Sequence, residues 1–269
     1  MKIVILFVSI FVTSTFSART STTTIKCDNQ QKFDKSQLCS VTNRFYDFDS
    51  WQIERIRGIT KLIISDIQSE FLPTGISESF PNLISYVTSE TTFKSVKKEN
   101  FRNLKKLETL ELKNGQLSRV RRDAFEDLEN LVKLNLDNNM IKLISPEHFR
   151  ELGRLEFLSF NNNEIEELNP RIFRNLLNLK SISAENNKIY SILEGTFESN
   201  QNLRNISLKG NSLRFIDEKT FQGLEDLKTV DLQENNCIDK KYEVNEKFRK
   251  FLGMIRNDVS ETCQNEIKN

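Results

Sequence analysis

The sequence has a single histidine, His148, which excludes multi-histidine metal sites and leaves one candidate for histidine-based catalysis. Its eight glycines are scattered and leave little material for phosphate-binding loops. Lysine and arginine number 39 against 38 aspartates and glutamates, so the basic excess expected of a nucleic-acid-binding protein is absent. With 269 residues the chain has room for one large domain or two small ones, and its 20 phenylalanines can supply a core.

Long apolar runs are also scarce, and the one that stands out lies at the N-terminus. Lys2 precedes an apolar stretch over residues 3–12, and the small residues Thr15 and Ser17 precede Ala18. This layout is typical of a secretory signal peptide over residues 1–17. A membrane anchor is the alternative, but about ten apolar residues are too few to span a bilayer, which needs about 20. No apolar tail for a lipid anchor follows Cys263. We therefore expect a secreted protein with no membrane anchor.

The four cysteines lie in two distant groups, at 27 and 39 and at 237 and 263. An even number of cysteines in an oxidising compartment predicts two disulfides, for which three pairings are possible. The layout favours Cys27–Cys39 and Cys237–Cys263, because the two pairs flank one long cysteine-free centre. A zinc site is the alternative, but the close C-x-x-C spacing that zinc sites use is absent.

The centre of the chain repeats every 24 residues without insertion. The period is set by Leu83, Leu107, Leu131, Leu155, Leu179, Leu203 and Leu227. Apolar residues follow three and five positions later, as in Leu134 and Leu136, and this alternation indicates a strand with one buried face. One coil cannot bury its apolar face alone, so we expect stacked coils that share a continuous core.

Two further columns have predicted structural roles. Asparagines at 139, 163, 187, 211 and 235 can satisfy backbone groups where the chain turns inward, since an amide both donates and accepts hydrogen bonds. The equivalent positions earlier in the chain hold Gly115 and Thr91, so we expect a weaker asparagine ladder there. The second column is aromatic and should fill the space between coils: Phe101, Phe125, Phe149, Phe173, Phe197 and Phe221.

The pattern L-x-x-L-x-L-x-x-N-x-L, followed by a phenylalanine, resembles the leucine-rich-repeat family over residues 59–236. The 24-residue length resembles its typical extracellular subclass. The resemblance implies an α/β solenoid, a right-handed horseshoe of seven or eight repeats with a parallel sheet on its concave face. Family members often have caps with four cysteines, whereas each end here has two, as in short secreted insect proteins of the family, which include immune factors.

A solenoid needs covers at both ends. We expect residues 18–58 to form the N-terminal cap and residues 237–269 the C-terminal cap. In the latter, Phe248, Leu252, Ile255 and Val259 have helical spacing. This helix either covers the last coil, held by Cys237–Cys263, or binds a partner or a second copy of the chain.

The search for catalytic chemistry gives little. We place His148 on the outer return path and expect it to be solvated. Glu164, Glu166 and Glu167 also lie on return segments, and we expect them to form a solvated face. No nucleophile motif, metal motif or phosphate loop is present, so we predict that the protein is not an enzyme and needs no cofactor. The sequence Asn205-Ile206-Ser207 is a candidate N-glycosylation site on a strand.

Side chains that alternate outward from the strands should form a polar concave face with one large ring, Phe157. Interface anchors are often aromatic residues near the centre of a polar patch, although a lone exposed apolar residue is also common. The predicted binding residues are Glu111, Lys133, Asn135, Asp137, Phe157, Ser159, Asn161, Ser183 and Glu185.

These observations favour a secreted, non-enzymatic protein that binds another extracellular protein on its concave face, with a recognition or innate-immune role. We expect no nucleic-acid partner. The alternative is a structural or adhesive matrix protein that uses the convex side or self-association. Light scattering on the purified protein separates the two, because a concentration-independent monomer contradicts self-association.

Overall fold

The computed structural model describes residues 22–25, 38–42, 50–53, 58–243 and 248–263. The predicted signal peptide over residues 1–17 and the predicted disulfide Cys27–Cys39, which needs Cys27, lie outside the described residues. In chain order the elements are β1 (Thr22–Ile25), β2 (Leu38–Thr42), β3 (Ser50–Ile53), β4 (Lys61–Ser65), α1 (Ile76–Ser79), β5 (Ser85–Thr91), β6 (Ser95–Val96), α2 (Lys98–Phe101), β7 (Thr109–Gly115), β8 (Arg119–Val120), β9 (Lys133–Asn135), β10 (Phe157–Ser159), β11 (Ser181–Ser183), β12 (Ser191–Ile192), β13 (Asn205–Ser207), β14 (Phe215–Ile216), β15 (Thr229–Asp231), β16 (Lys241–Glu243) and α3 (Phe248–Thr262).

One sheet organises the chain. Within the described residues it has ten strands, in the order β16-β15-β13-β11-β10-β9-β7-β5-β4-β2. Its strands are parallel except at β15–β16, and Phe157 pairs with Lys133 on one side and Ser181 on the other, which is the 24-residue period read across the sheet. The predicted solenoid with a parallel sheet is therefore confirmed.

The stacked phenylalanines lie on the side opposite the sheet. All six members of the column are buried, and successive ring centroids are 5.8–6.3 Å apart where the rings meet. Adjacent strands of a sheet are only about 4.8 Å apart. Because the coils are more widely spaced at the rings than at the strands, the solenoid curves with the sheet on its concave side.

The first coils close differently from the later ones. Strands β5 and β7 have seven residues each, whereas β9, β10 and β11 have three. Backbone pairing in the long strands continues as far as Thr91 and Gly115, the two positions where the ladder asparagine is missing. Strand extension therefore satisfies the backbone where the sequence has no amide.

The C-terminal cover combines a predicted and an unpredicted element. The predicted helix is present as α3, where Ile255 and Val259 are buried and the Cys237–Cys263 disulfide ties the helix to the last coil. Strand β16 was not predicted. It pairs antiparallel with β15, and the Tyr242 hydroxyl donates to Asp258 of α3 at 2.7 Å. Within the described ranges, no helix has both the length and the apolarity needed to cross a bilayer.

Tyr86 places a polar hydroxyl group in the apolar core. It occupies a leucine position, is wholly buried against the edge of Phe101, and its hydroxyl has no hydrogen-bond partner among the described residues. Burial raises the pKa of this hydroxyl well above its ordinary value.

Replacing Tyr86 with phenylalanine should raise the free energy of unfolding by about 1–2 kcal/mol, because it removes a buried polar group that has no partner. Urea denaturation measures the change. Tyr190→Phe is the matched control, since the Tyr190 hydroxyl is exposed and bonded to Glu167, and it should be close to neutral. A Tyr86→Phe protein less stable than wild type would show that the hydroxyl is satisfied.

Candidate binding face

The predicted binding residues lie together on one surface, which we call the concave face: the outward side chains of β7, β9, β10 and β11 and of the residue two positions after the end of β9, β10 and β11. They are Glu111, Lys133, Asn135, Asp137, Phe157, Ser159, Asn161, Ser183 and Glu185. All are half-buried by their neighbours except Phe157, which has 45% of its surface exposed. They are neighbours because strands in register bring residues 24 apart side by side.

Hydrogen bonds between coils hold the polar side chains of this face in place. The Ser159 hydroxyl donates to Asp137 Oδ1 at 2.6 Å, and the Asn161 backbone N–H donates to the same oxygen at 2.7 Å. One coil further on, the Ser183 hydroxyl and the Glu185 N–H donate to Asn161 Oδ1 at 2.8 and 2.6 Å. Sequence analysis could not find this network, because each bond depends on a side-chain orientation.

The ion pairs of the face are concentrated at Glu111. Its carboxylate accepts from Lys133 at 2.6 Å and from Lys113 at 2.9 Å. Partial burial alone would raise the pKa of Glu111, but the hydrogen bonds and charges of the two ammonium groups outweigh it and leave the pKa below its ordinary value. Glu111 is therefore ionised at neutral pH and offsets one of the two lysine charges at the N-terminal part of the face.

Phe157 interrupts this polar surface. Its direct cross-strand neighbours are Lys133 and Ser181, and Ser159 lies two residues further along its own strand. The Phe157 ring, the largest exposed apolar group on the face, is thus surrounded by polar side chains. This arrangement can bury an apolar partner side chain and orient polar partner groups around it.

A ladder of asparagine amides supports the strands from one side. In each coil the side-chain oxygen accepts a backbone N–H from 22 residues earlier, and the amide N–H groups donate to carbonyls two, three and 27 residues earlier. Asn163, for example, accepts from Ile141 N–H at 3.0 Å and donates to Leu136 and Phe160 carbonyls at 3.0 Å. The same pattern holds at Asn139, Asn187, Asn211 and Asn235.

A second column, exposed except at the half-buried Asp66 and Gly210, lies beside the ladder and was missed by the sequence analysis. It has positive φ in every coil and comprises Asp66, Glu90, Asn114, Asn138, Asn162, Asn186, Gly210 and Glu234. Asn138 donates to Asn114 at 2.7 Å and Asn186 to Asn162 at 3.0 Å. The repeated Asn-Asn pair in the sequence was the available signal, since asparagine tolerates left-handed backbone better than most residues.

His148 is not solvated as expected but buried. Its Nδ1 accepts the Ser145 backbone N–H at 2.8 Å, so the proton lies on Nε2, which donates to the Val120 carbonyl at 3.0 Å. The expectation was wrong because the ring reaches back to the preceding coil. Both ring nitrogens have structural partners, and His148 joins two coils.

Of the remaining candidate residues, Glu166, Glu167 and Asn205 are exposed and Glu164 is partly exposed. Glu164 pairs with Lys188 at 3.0 Å on the outer surface, and no group of three potential metal ligands occurs in the part of the chain that the structure describes. The Asn205 side chain is exposed, as a glycosylation acceptor must be, and accepts from the Thr229 hydroxyl at 2.8 Å. Glycosylation of Asn205 stays a prediction.

Comparisons with known proteins agree with this architecture. The family model described as a BspA type Leucine rich repeat region matches residues 118–242 in six copies, and a model described as Leucine rich repeat matches residues 86–141. Among solved structures, the crystal structure of the TLR13-ssRNA13 complex matches with a TM-score of 0.53 and 23% identity. The match covers 65% of this chain and 28% of that chain, so this chain corresponds to under a third of TLR13. No curated protein sequence matches.

Proposed function

Because the chain belongs to the leucine-rich-repeat family, we propose that it is a secreted, non-enzymatic binding protein that holds another extracellular protein on its concave face. The observation that carries the proposal is the exposure of Phe157 at the centre of a polar face whose side chains are fixed by hydrogen bonds between coils. The proposed role is recognition, of the innate-immune type, in line with the resemblance to short secreted insect proteins of the family.

The physical basis of binding is preorganisation. Association costs free energy for every side chain that it orders, by about 0.5–1.5 kcal/mol for a flexible one. Ser159, Asn161 and Ser183 are already ordered by their cross-coil bonds, so a partner that binds them loses less. Burial of the Phe157 ring supplies the apolar contribution.

A protein partner suits this face better than a nucleic acid. One solved structure that matches the chain, that of the TLR13-ssRNA13 complex, contains single-stranded RNA. RNA binding draws most of its affinity from lysine and arginine beside the phosphates. On this face Lys133 and Lys113 are both engaged by Glu111, while Asp137 and Glu185 add negative charge.

Replacing Phe157 with alanine should weaken partner binding at least about tenfold, as expected for a central aromatic anchor. The partner is first captured from extracellular fluid on immobilised wild-type protein, identified, and then titrated by calorimetry. Leu177→Ala is the matched control, because Leu177 is also exposed but lies on the return path. Equal affinities for Phe157→Ala, Leu177→Ala and wild type would contradict a role for Phe157.

A further inference from the structure

A second surface lies on the return side of the solenoid, away from the strands. It is a groove of about 550 Å³ that crosses three successive coils. We call it the outer groove and define it by Leu143, Pro146, Arg171, Arg174, Tyr190 and Leu193. Its volume lies within the range of ordinary ligand sites, about 300–1,000 Å³.

The apolar lining of the outer groove is not required by the fold. Leu143 is 69% exposed, Tyr190 41% and Leu193 39%. The positions equivalent to Tyr190 in the other coils hold Lys94, Ser118, Lys142, Glu166 and Arg214, and those equivalent to Leu193 hold Lys97, Arg121, Ser145, Asn169 and Asp217. The Tyr190 and Leu193 positions are polar in these five coils and so do not build the core there. The Leu143 position holds Phe215 in another coil, but Leu143 itself is mostly exposed. These exposed apolar side chains are consistent with an interaction site.

Some polar side chains that line the outer groove have hydrogen-bond or ion-pair partners, and others do not. The Tyr190 hydroxyl donates to Glu167, and a hydrogen bond from the Ser145 side chain leads the causes that hold the pKa of Glu147 below its ordinary value. Arg171 and Arg174 are exposed, and within the described ranges neither guanidinium forms an ion pair or a side-chain hydrogen bond. Each guanidinium has five donors and no acceptor, and its planar fork matches a carboxylate. Glu147 and Glu167 also line the groove, and the positive charge of Arg174 adds to the lowering of the Glu147 pKa. Both guanidinium groups nevertheless keep hydrogen-bond donors free for the acidic groups of a partner.

We propose that the outer groove binds an extended acidic segment of a partner protein, with apolar side chains against Leu143, Tyr190 and Leu193 and carboxylates on Arg171 and Arg174. Three coils span roughly 10–12 Å, which accommodates about three or four extended residues at about 3.3 Å each. Alternating apolar and acidic side chains of such a segment would meet the apolar and basic groups of the groove in turn. This surface is separate from the concave face and does not depend on the function proposed for that face.

The test uses a phage-displayed library of random dodecapeptides selected on the mature chain. We expect the selected peptides to combine aspartate or glutamate with apolar residues. A synthetic copy of the most enriched peptide is then titrated by fluorescence anisotropy against the wild type and against variants. The Arg171→Glu/Arg174→Glu protein and the Leu143→Ser protein should each bind it at least about tenfold more weakly.

Two controls isolate the groove. The Arg102→Glu/Lys105→Glu protein reverses two exposed charges with the same spacing, three coils away, and should bind like wild type. Phe157→Ala should also leave peptide affinity unchanged, so failure of the groove and failure of the concave-face proposal are distinguishable. Because the substituted side chains are exposed, all variants should melt close to wild type.

Several outcomes would overturn the proposal. These are the absence of any peptide that binds more tightly than about 100 µM, selection of basic peptides, and equal loss of affinity in the groove and control charge reversals. A further contradicting outcome concerns phosphatidylglycerol vesicles. If the wild type binds these vesicles but no peptide, and the Arg171→Glu/Arg174→Glu protein does not bind them, the groove is assigned to a lipid surface.

Discussion

Replacing Phe173 with alanine should lower the free energy of unfolding by about 3–5 kcal/mol, the cost of truncating a buried phenylalanine. Phe173 is fully buried, and its ring lies between those of Phe149 and Phe197, with centroid distances of 6.3 and 5.8 Å. The substitution therefore removes packing from two neighbouring coils as well as its own. Urea denaturation followed by far-UV circular dichroism measures the loss.

Phe157→Ala is the matched control, because it removes the same atoms from the same part of the chain. Phe157 is nearly half exposed, so its removal should lower the free energy of unfolding by at most about 1 kcal/mol, well below the loss at Phe173. Similar losses in the two variants would show that the aromatic column does not hold the coils together.

Replacing Asn163 with alanine should lower the free energy of unfolding by about 3 kcal/mol. The substitution leaves the buried N–H of Ile141 without its acceptor, which costs about 1–3 kcal/mol, and it removes the bonds to the Leu136 and Phe160 carbonyls. Those carbonyls still accept from Asn139 and Asn187, so they are not left without a partner. Amide hydrogen exchange should show faster exchange at Ile141 than in the wild type.

Asn178→Ala provides the comparison for the ladder. Asn178 also donates to a carbonyl of the preceding coil, that of Gly153 at 2.7 Å, but at an exposed position where water replaces the lost bond. It should cost less than about 1 kcal/mol. Equal losses at Asn163 and Asn178 would indicate that burial does not set the strength of the ladder.

Most of the architecture could be predicted from the 24-residue period. A period without insertions places the strands side by side, so the sheet and the membership of the concave face could be predicted from residues such as Leu134, Leu158 and Phe157. The C-terminal helix could also be predicted, because the spacing of Leu252, Ile255 and Val259 is helical.

Features that depend on contacts between coils could not be predicted in the same way. Strand β16 has only three residues, too few for a periodic pattern, and it is held by pairing with β15 and by the hydrogen bond from Tyr242 to Asp258. His148 is buried because its ring reaches the carbonyl of Val120, 28 residues earlier in the chain. The outer groove was missed because Leu143 and Leu193 look like isolated apolar residues until the coils are stacked.

The fixed offsets of the asparagine ladder limit how the chain can change in length. Asn163 bonds to groups 22 and 27 residues earlier, and the other four ladder asparagines repeat those separations. An insertion of a few residues within a coil would displace these partners, whereas duplication or loss of a complete 24-residue unit would leave each amide opposite an equivalent partner. Length can therefore vary in whole units, each of which moves the two ends of the repeat array apart or together by about 4.8 Å along the sheet.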